Sequence, residues 1–345
     1  MAELARLVEH LREPARLAAA DAPTWATLIR LARKEALIGQ LATIVGDAGV
    51  SPPPRARLIL DDAMIGVEAS QRAARWEARE AARLLGGRGY PVVLMKGTAY
   101  VVAGLPPAQG RTVGDLDILV PRAALGDAEA VLRANGWEPL KEDSYDDAYY
   151  REWMHELPPL AHGERGSVID VHHTILPLTA RLRPDADALI AAAVPVGGGL
   201  SVMSPPDMLL HSIAHLFYDG DFEGGLRNLW DIHRLTTHFA APDFWPALRE
   251  RARLHQLAAP LARALRTTRN LFGTEIDPAL AGSATPLDAL IRRRLLARDR
   301  HGMPTAPLTR QALYVRSHWL RMPPAMLARH LFTKWRMRRA AEAQG

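Results

Sequence analysis

Apolar and polar positions alternate in three distinct textures along the chain. From residue 2 to about 48 the apolar residues recur every three or four positions, which predicts short amphipathic helices such as 3–11 and 24–34. Pro52-Pro53-Pro54 ends that pattern, and a long helical stretch follows from Arg55 to about Leu85, closed by Gly86-Gly87. At Tyr90 the period changes. Pro91 to Met95 is a short unbroken apolar run, the mark of a buried strand, and it leads directly into Lys96-Gly97-Thr98 and a short helix over 99–103. A second strand is expected at 116–120 and a helix at 122–135 closed by Gly136. Two more strands are expected at 149–161 and 167–175, joined by a hairpin turn at 162–166. Gly197-Gly198-Gly199 reads as a turn between short strands. From Pro205 the helical period returns, over 206–218, 226–239, 242–255, 259–271 and 287–296.

The layout predicts an α+β fold. A small mixed β-sheet core at 89–203 would be flanked by an N-terminal helical segment at 1–88 and a C-terminal helical domain with a basic tail at 204–345.

Composition narrows the chemistry. The 345 residues are 48% hydrophobic and 23% charged, as in ordinary globular proteins, and no apolar run reaches the ~18–20 residues of a membrane span. The absence of cysteine excludes disulfides, thiolate metal sites and thiol nucleophiles. With no uninterrupted apolar stretch at the N-terminus, the expected compartment is the cytoplasm. The net charge of +5 is unevenly spread: residues 292–345 carry thirteen Lys or Arg against Asp299 and Glu342, so the preceding 291 residues are mildly acidic. A nucleic-acid protein with a basic track to its centre is therefore not indicated.

The candidate chemistry lies in the centre. In Gly114-Asp115-Leu116-Asp117-Ile118 the side chains of a strand alternate, so Asp115 and Asp117 share one face while Leu116 and Ile118 enter the core. Val168-Ile169-Asp170-Val171-His172 repeats the arrangement, with Asp170 and His172 on the polar face. Carboxylates crowded in this way repel one another and suit a divalent cation. A solvated edge strand is the plain alternative. Upstream, Gly97 would let a phosphate approach the backbone at a helix start, with the Thr98 hydroxyl as a further donor and Lys96 and Arg111 as countercharge.

The order Lys96-Gly97-Thr98, Arg111, Asp115-x-Asp117, then Ile169-Asp170-Val171-His172 resembles the bacterial nucleotidyltransferases of the NTP_transf_5 type, within the DNA polymerase β-like superfamily. The resemblance covers about residues 60–240, with Leu209-Leu210-His211 and Arg227 to Asp231 similar to the family's helices. It implies that Asp115, Asp117 and Asp170 bind Mg²⁺ (or Mn²⁺) and that Lys96, Gly97, Thr98 and Arg111 hold the phosphates of an NTP co-substrate. His172 would join the catalytic set. An NMP would pass to an acceptor hydroxyl or phosphate with release of pyrophosphate. A non-catalytic nucleotide-sensing or protein-binding module on the same fold is the alternative.

Other groups carry weaker signals. If the turn fixes His162 opposite Ser167, then Leu157 opposes His172 and His155 opposes Thr174, so His155 shares the acidic face. His211 and His215 have metal-ligand spacing on one helix, yet packing against the sheet domain explains them more simply. Asp231 is expected either in the cleft or against a histidine. The segment 330–339 predicts a basic amphipathic helix, which either packs on the body or makes weak contact with a membrane surface or nucleic acid.

Overall fold

The computed structural model describes residues 2–140, 150–218, 222–324 and 326–328. Its centre is a seven-stranded mixed sheet in the order β3-β4-β5-β2-β1-β7-β6. The strands are β1 (Val92–Leu94), β2 (Asp115–Leu119), β3 (Trp137–Pro139), β4 (Leu160–His162), β5 (Val168–His172), β6 (Val194–Gly197) and β7 (Leu200–Val202). β1 runs antiparallel to β2 and parallel to β7, while β2 and β5 are parallel. Val92, Val93 and Leu94 are all buried, as an unbroken apolar run requires in a strand covered on both faces.

The helices follow the apolar period closely. The expected helix 206–218 is Pro205–Tyr218, 226–239 is Gly225–Phe239, 259–271 is Ala258–Phe272, and the long one is Pro54–Leu85. That long helix packs on β1 and β2, and the Pro205–Tyr218 helix gathers the C-terminal helices around it. The first helix, Ala2–Arg12, packs on Ala258–Phe272, so the chain's two helical ends meet. One continuous cluster of buried apolar side chains extends from Leu4 through the sheet to Leu313. Among the described residues no helix is long and apolar enough to cross a membrane.

Two expectations are corrected. The stretch 149–161 is not one strand: residues 150–153 are helical, Glu156 makes an isolated bridge to His172, and only Leu160–His162 is a strand. Pro158-Pro159 explains the break, since neither residue has a ladder donor. The register also slips there. The hairpin begins as expected, with the His162 amide donating to the Ser167 carbonyl at 2.9 Å and Ala161 opposite Val168. Beyond the two prolines, however, Glu156 stands opposite His172 where Leu157 was expected. The hairpin is tied to the long helix by Arg165, which binds both carboxylate oxygens of Glu77 at 3.1 and 3.2 Å, and by the Ser167 hydroxyl donating to the same group. The basic segment 330–339 lies outside the described residues.

Candidate active site

The parallel register of β2 and β5 sets Asp117 directly beside Asp170, and Asp115 beside Val168. Neighbouring residues in a parallel ladder point to the same side, so the two carboxylates are forced together on one face. Asp117 is buried and receives two groups on one oxygen: Lys96 Nζ donates to Oδ1 at 2.7 Å, and His172 Nε2 lies 3.0 Å from it. Burial pushes the Asp117 carboxyl up, but the Lys96 charge and the His172 contact outweigh it and hold the group well below the usual carboxylate range. Lys96 mirrors this. Burial disfavours its ammonium, and the charges of Asp117, Asp115 and Glu156 more than restore it, above the ordinary lysine value. The lysine has φ of +47°, a left-handed conformation unusual for a residue with a side chain, at the start of the Lys96–Val102 helix.

Asp170 has the opposite balance. Burial, reinforced by the charges of Asp117 and Glu156, pushes its carboxyl up to about 7. Its Oδ1 is buried without a hydrogen-bond partner. Donor atoms of Asp117, Asp170 and His172 lie within 4.8 Å of one another. An orphaned carboxylate oxygen beside a second carboxylate is an oxygen donor pair that suits Mg²⁺ or Mn²⁺. Asp115 stands outside this close set, exposed at the first position of β2.

The residues expected around the phosphates are placed differently from one another. Lys96 lies between two adjoining cavities and contributes to both, as do Asp115, His211 and His215. Gly97 lines one of them, and the space a side chain would need at that position is filled by the Arg111 guanidinium. Arg111 is buried, its Nε donating to Asp231 Oδ2 at 3.1 Å, with its guanidinium 5.4 Å over the Tyr100 ring. The Thr98 hydroxyl points away from both cavities and donates to the Asp115 carbonyl at 3.4 Å. The loop carrying Arg111 is held by Gln71 of the long helix, whose Nε2 donates to the Ala108 and Arg111 carbonyls at 2.6 and 3.0 Å. Gly110, at φ +71°, meets Gly39 backbone to backbone, leaving no room for a Cβ on either.

The larger cavity, about 440 Å³, opens over Asp170, His172, Glu156 and His155 and is walled further out by Ile175, Leu176 and Pro177. Its smaller neighbour, about 120 Å³, is polar and contains Arg227 opposite Asp115. Among the described residues the Arg227 guanidinium has no carboxylate bound to it; its Nη2 donates to Asn228 Oδ1 at 3.1 Å. Burial and the neighbouring Arg111 charge lower its pKa from the ordinary arginine value. His211 is also buried, and burial together with the Lys96 charge keeps it neutral. His211 and His215 of the Pro205–Tyr218 helix both line the two cavities.

Sequence reasoning did not single out Glu156 or Arg227. Glu156 reaches the site only through the register slip at Pro158-Pro159, with its Oε2 3.1 Å from His172 Nδ1. Arg227 comes from a helix more than a hundred residues beyond β2, and its place in the smaller cavity is a fact of three dimensions.

An α+β sheet with paired acids on adjacent strands, a lysine laid over one of them and a cationic cavity alongside has the parts of a phosphate-and-metal enzyme site. The family model of uncharacterised nucleotidyltransferases (NTP_transf_5) matches residues 21–273, and the chain belongs to that family. The match supports nucleotidyl transfer as the general activity and spans the sheet, the smaller cavity and the lining of the larger one apart from Arg321. No curated protein matches the chain.

Proposed function

We propose that the protein transfers an NMP from an NTP to a hydroxyl or phosphate acceptor, with Mg²⁺ as cofactor and pyrophosphate as the other product. The observation that carries this reading is Asp170: a carboxylate with an unpartnered oxygen, set by strand register beside Asp117 at the floor of a cleft.

Asp117 and Asp170 would hold the cation, with Asp115 at the rim; bound there, Mg²⁺ would supply charge neutralisation for the phosphates as pyrophosphate leaves the α-phosphorus. Lys96 fixes the Asp117 carboxylate through the oxygen it shares with His172. Arg227 and Lys96 bind the β- and γ-phosphate oxygens in the smaller cavity, where a phosphate supplies the counter-charge that Arg227 lacks. The acceptor sits in the larger cavity, and Asp170 Oδ1 receives the proton of its attacking hydroxyl. The acceptor hydroxyl oxygen forms the new bond to the α-phosphorus while the bond from that phosphorus to the bridging oxygen breaks.

Thermal melting with each NTP, with and without Mg²⁺, tests the reading on the wild type and on Asp117→Asn and Asp170→Asn. A ligand at a hundred times its Kd adds about 2.7 kcal/mol to stability. A Mg²⁺-dependent rise that both variants abolish is the expected result. No rise with any NTP would overturn it in favour of a protein-binding module.

A further inference from the structure

We infer that His155, Glu156 and His172 form a second cation site, for a nitrogen-preferring transition metal such as Zn²⁺, separate from the Asp117–Asp170 pair. Donor atoms of the three residues lie within 4.8 Å of one another. Glu156 Oε2 lies 3.1 Å from His172 Nδ1 and 3.6 Å from His155 Nε2. Donors about 2.1 Å from a tetrahedral Zn²⁺ stand about 3.4 Å apart, so both separations match ligands of one ion.

Hydrogen bonding among the described residues leaves His172 Nδ1 unsatisfied. A neutral imidazole has one N–H and one lone pair. His172 lies between two carboxylates, Asp117 on Nε2 and Glu156 on Nδ1, and one N–H serves only one of them. Its Nδ1 is buried and, among the described residues, makes no hydrogen bond. The nitrogens that face the Glu156 carboxylate, His172 Nδ1 and His155 Nε2, are placed to share one cation with it. With the metal on Nδ1, the His172 Nε2–H donates to Asp117, which is the carboxylate–histidine–metal arrangement that orients a ligand ring. The site opens on the larger cavity, so a ligand position faces the acceptor side. Nitrogen donors set it apart from the oxygen-rich pair next to it, which suits Mg²⁺.

The test uses the full chain, stripped with chelator and titrated with ZnCl₂ and, for its visible spectrum, with CoCl₂. One Zn²⁺ per chain and a Co²⁺ absorption of nitrogen-ligated character are expected. His155→Gln and Glu156→Gln each weaken Zn²⁺ binding by about tenfold or more. Asp170→Asn keeps the Zn²⁺ site while losing the Mg²⁺–NTP melting shift, so the two centres fail independently. Equal Zn²⁺ affinity in wild type and His155→Gln overturns the site, because the binding then comes from other histidines. Should the variants not fold, a wild-type Co²⁺ spectrum without nitrogen ligation overturns it equally.

Discussion

The two cavities on either side of Lys96 are built from opposite imbalances. On the β5 side carboxylates crowd together, and Asp170 shows it with a carboxyl pushed up to about 7 by burial and by the charges of Asp117 and Glu156. On the other side Arg227 is a cation depressed by burial and by Arg111, with Asp231 already committed to Arg111. Each surplus is costly alone, since a buried charge without a partner is destabilising. Side by side they form a polarised cleft whose two ends suit a cation and an anion. A metal–nucleotide complex brings both at once, so the difference between the cavities describes the ligand better than either cavity does.

The largest test of this contrast removes its centre. Asp117→Asn takes the negative charge from beneath Lys96 and from beside Asp170. Nucleotidyl transfer, followed as pyrophosphate release once an acceptor is in hand, should fall roughly a hundred- to a thousandfold, as when a preorganised electrostatic group is lost. Unchanged release would remove Asp117 from the chemistry. Next comes the anion end: Arg227→Met keeps the bulk and discards the charge. Binding of inorganic pyrophosphate and NTP should weaken about ten- to a hundredfold by calorimetry, the worth of charged hydrogen bonds of about 1.5–3 kcal/mol, while NMP binding changes little. Equal weakening of all three would show a general packing defect instead.

The acid end has a pH signature. Because the Asp170 pKa is raised, its carboxyl is mostly protonated below pH 7, and the Mg²⁺-dependent melting shift should fade as pH drops through about 7. In metal-free protein the sign reverses. The folded state binds the extra proton between the ordinary value of 3.8 and about 7, so stability is lost as pH rises across that window. Asp170→Asn should therefore melt higher than wild type at pH 8 and lose that advantage near pH 4. A flat difference across this range would remove Asp170 as the source. The smallest effect is expected at Tyr100→Phe, which deletes the 2.5 Å contact with the Ser212 hydroxyl behind Arg111. A stability loss of about 1 kcal/mol in denaturant unfolding, with nucleotide affinity intact, would mark this contact as support for the wall alone.

How much of this was legible in the chain depends on the range of the interactions that decide it. Helices and the β2 and β5 strands follow from local apolar periods, and their ends agree with expectation to within a few residues. The shared face of Asp117 and Asp170 follows from alternation within each strand, given that the two strands pair. The strand expected at 149–161 failed because its apolar content carried the prediction past Pro158-Pro159, where the ladder cannot continue. That single slip exchanged Leu157 for Glu156 opposite His172 and hid a charged neighbour of the site. Thr98 was expected to face a phosphate, but its hydroxyl is used on the Asp115 carbonyl, a choice made by the helix start and invisible in the spelling Lys96-Gly97-Thr98. Arg227 was passed over for a different reason: a lone arginine on a helix is ordinary until its neighbours are known.

The backbone contact between Gly39 and Gly110 has a consequence for reading related sequences. Here the carbonyl of one segment occupies the volume where a methyl group would stand on the other, so both positions are closed to the remaining amino acids on grounds of space. Gly97 is closed as well, by the end of an arginine side chain rather than by backbone. A relative carrying alanine at 97 would thus be expected to reposition its Arg111 counterpart, whereas alanine at 39 or 110 would demand a different path for the whole loop. Glycine retained at 39 and 110 across relatives would report architecture and say nothing about which ones turn over a nucleotide.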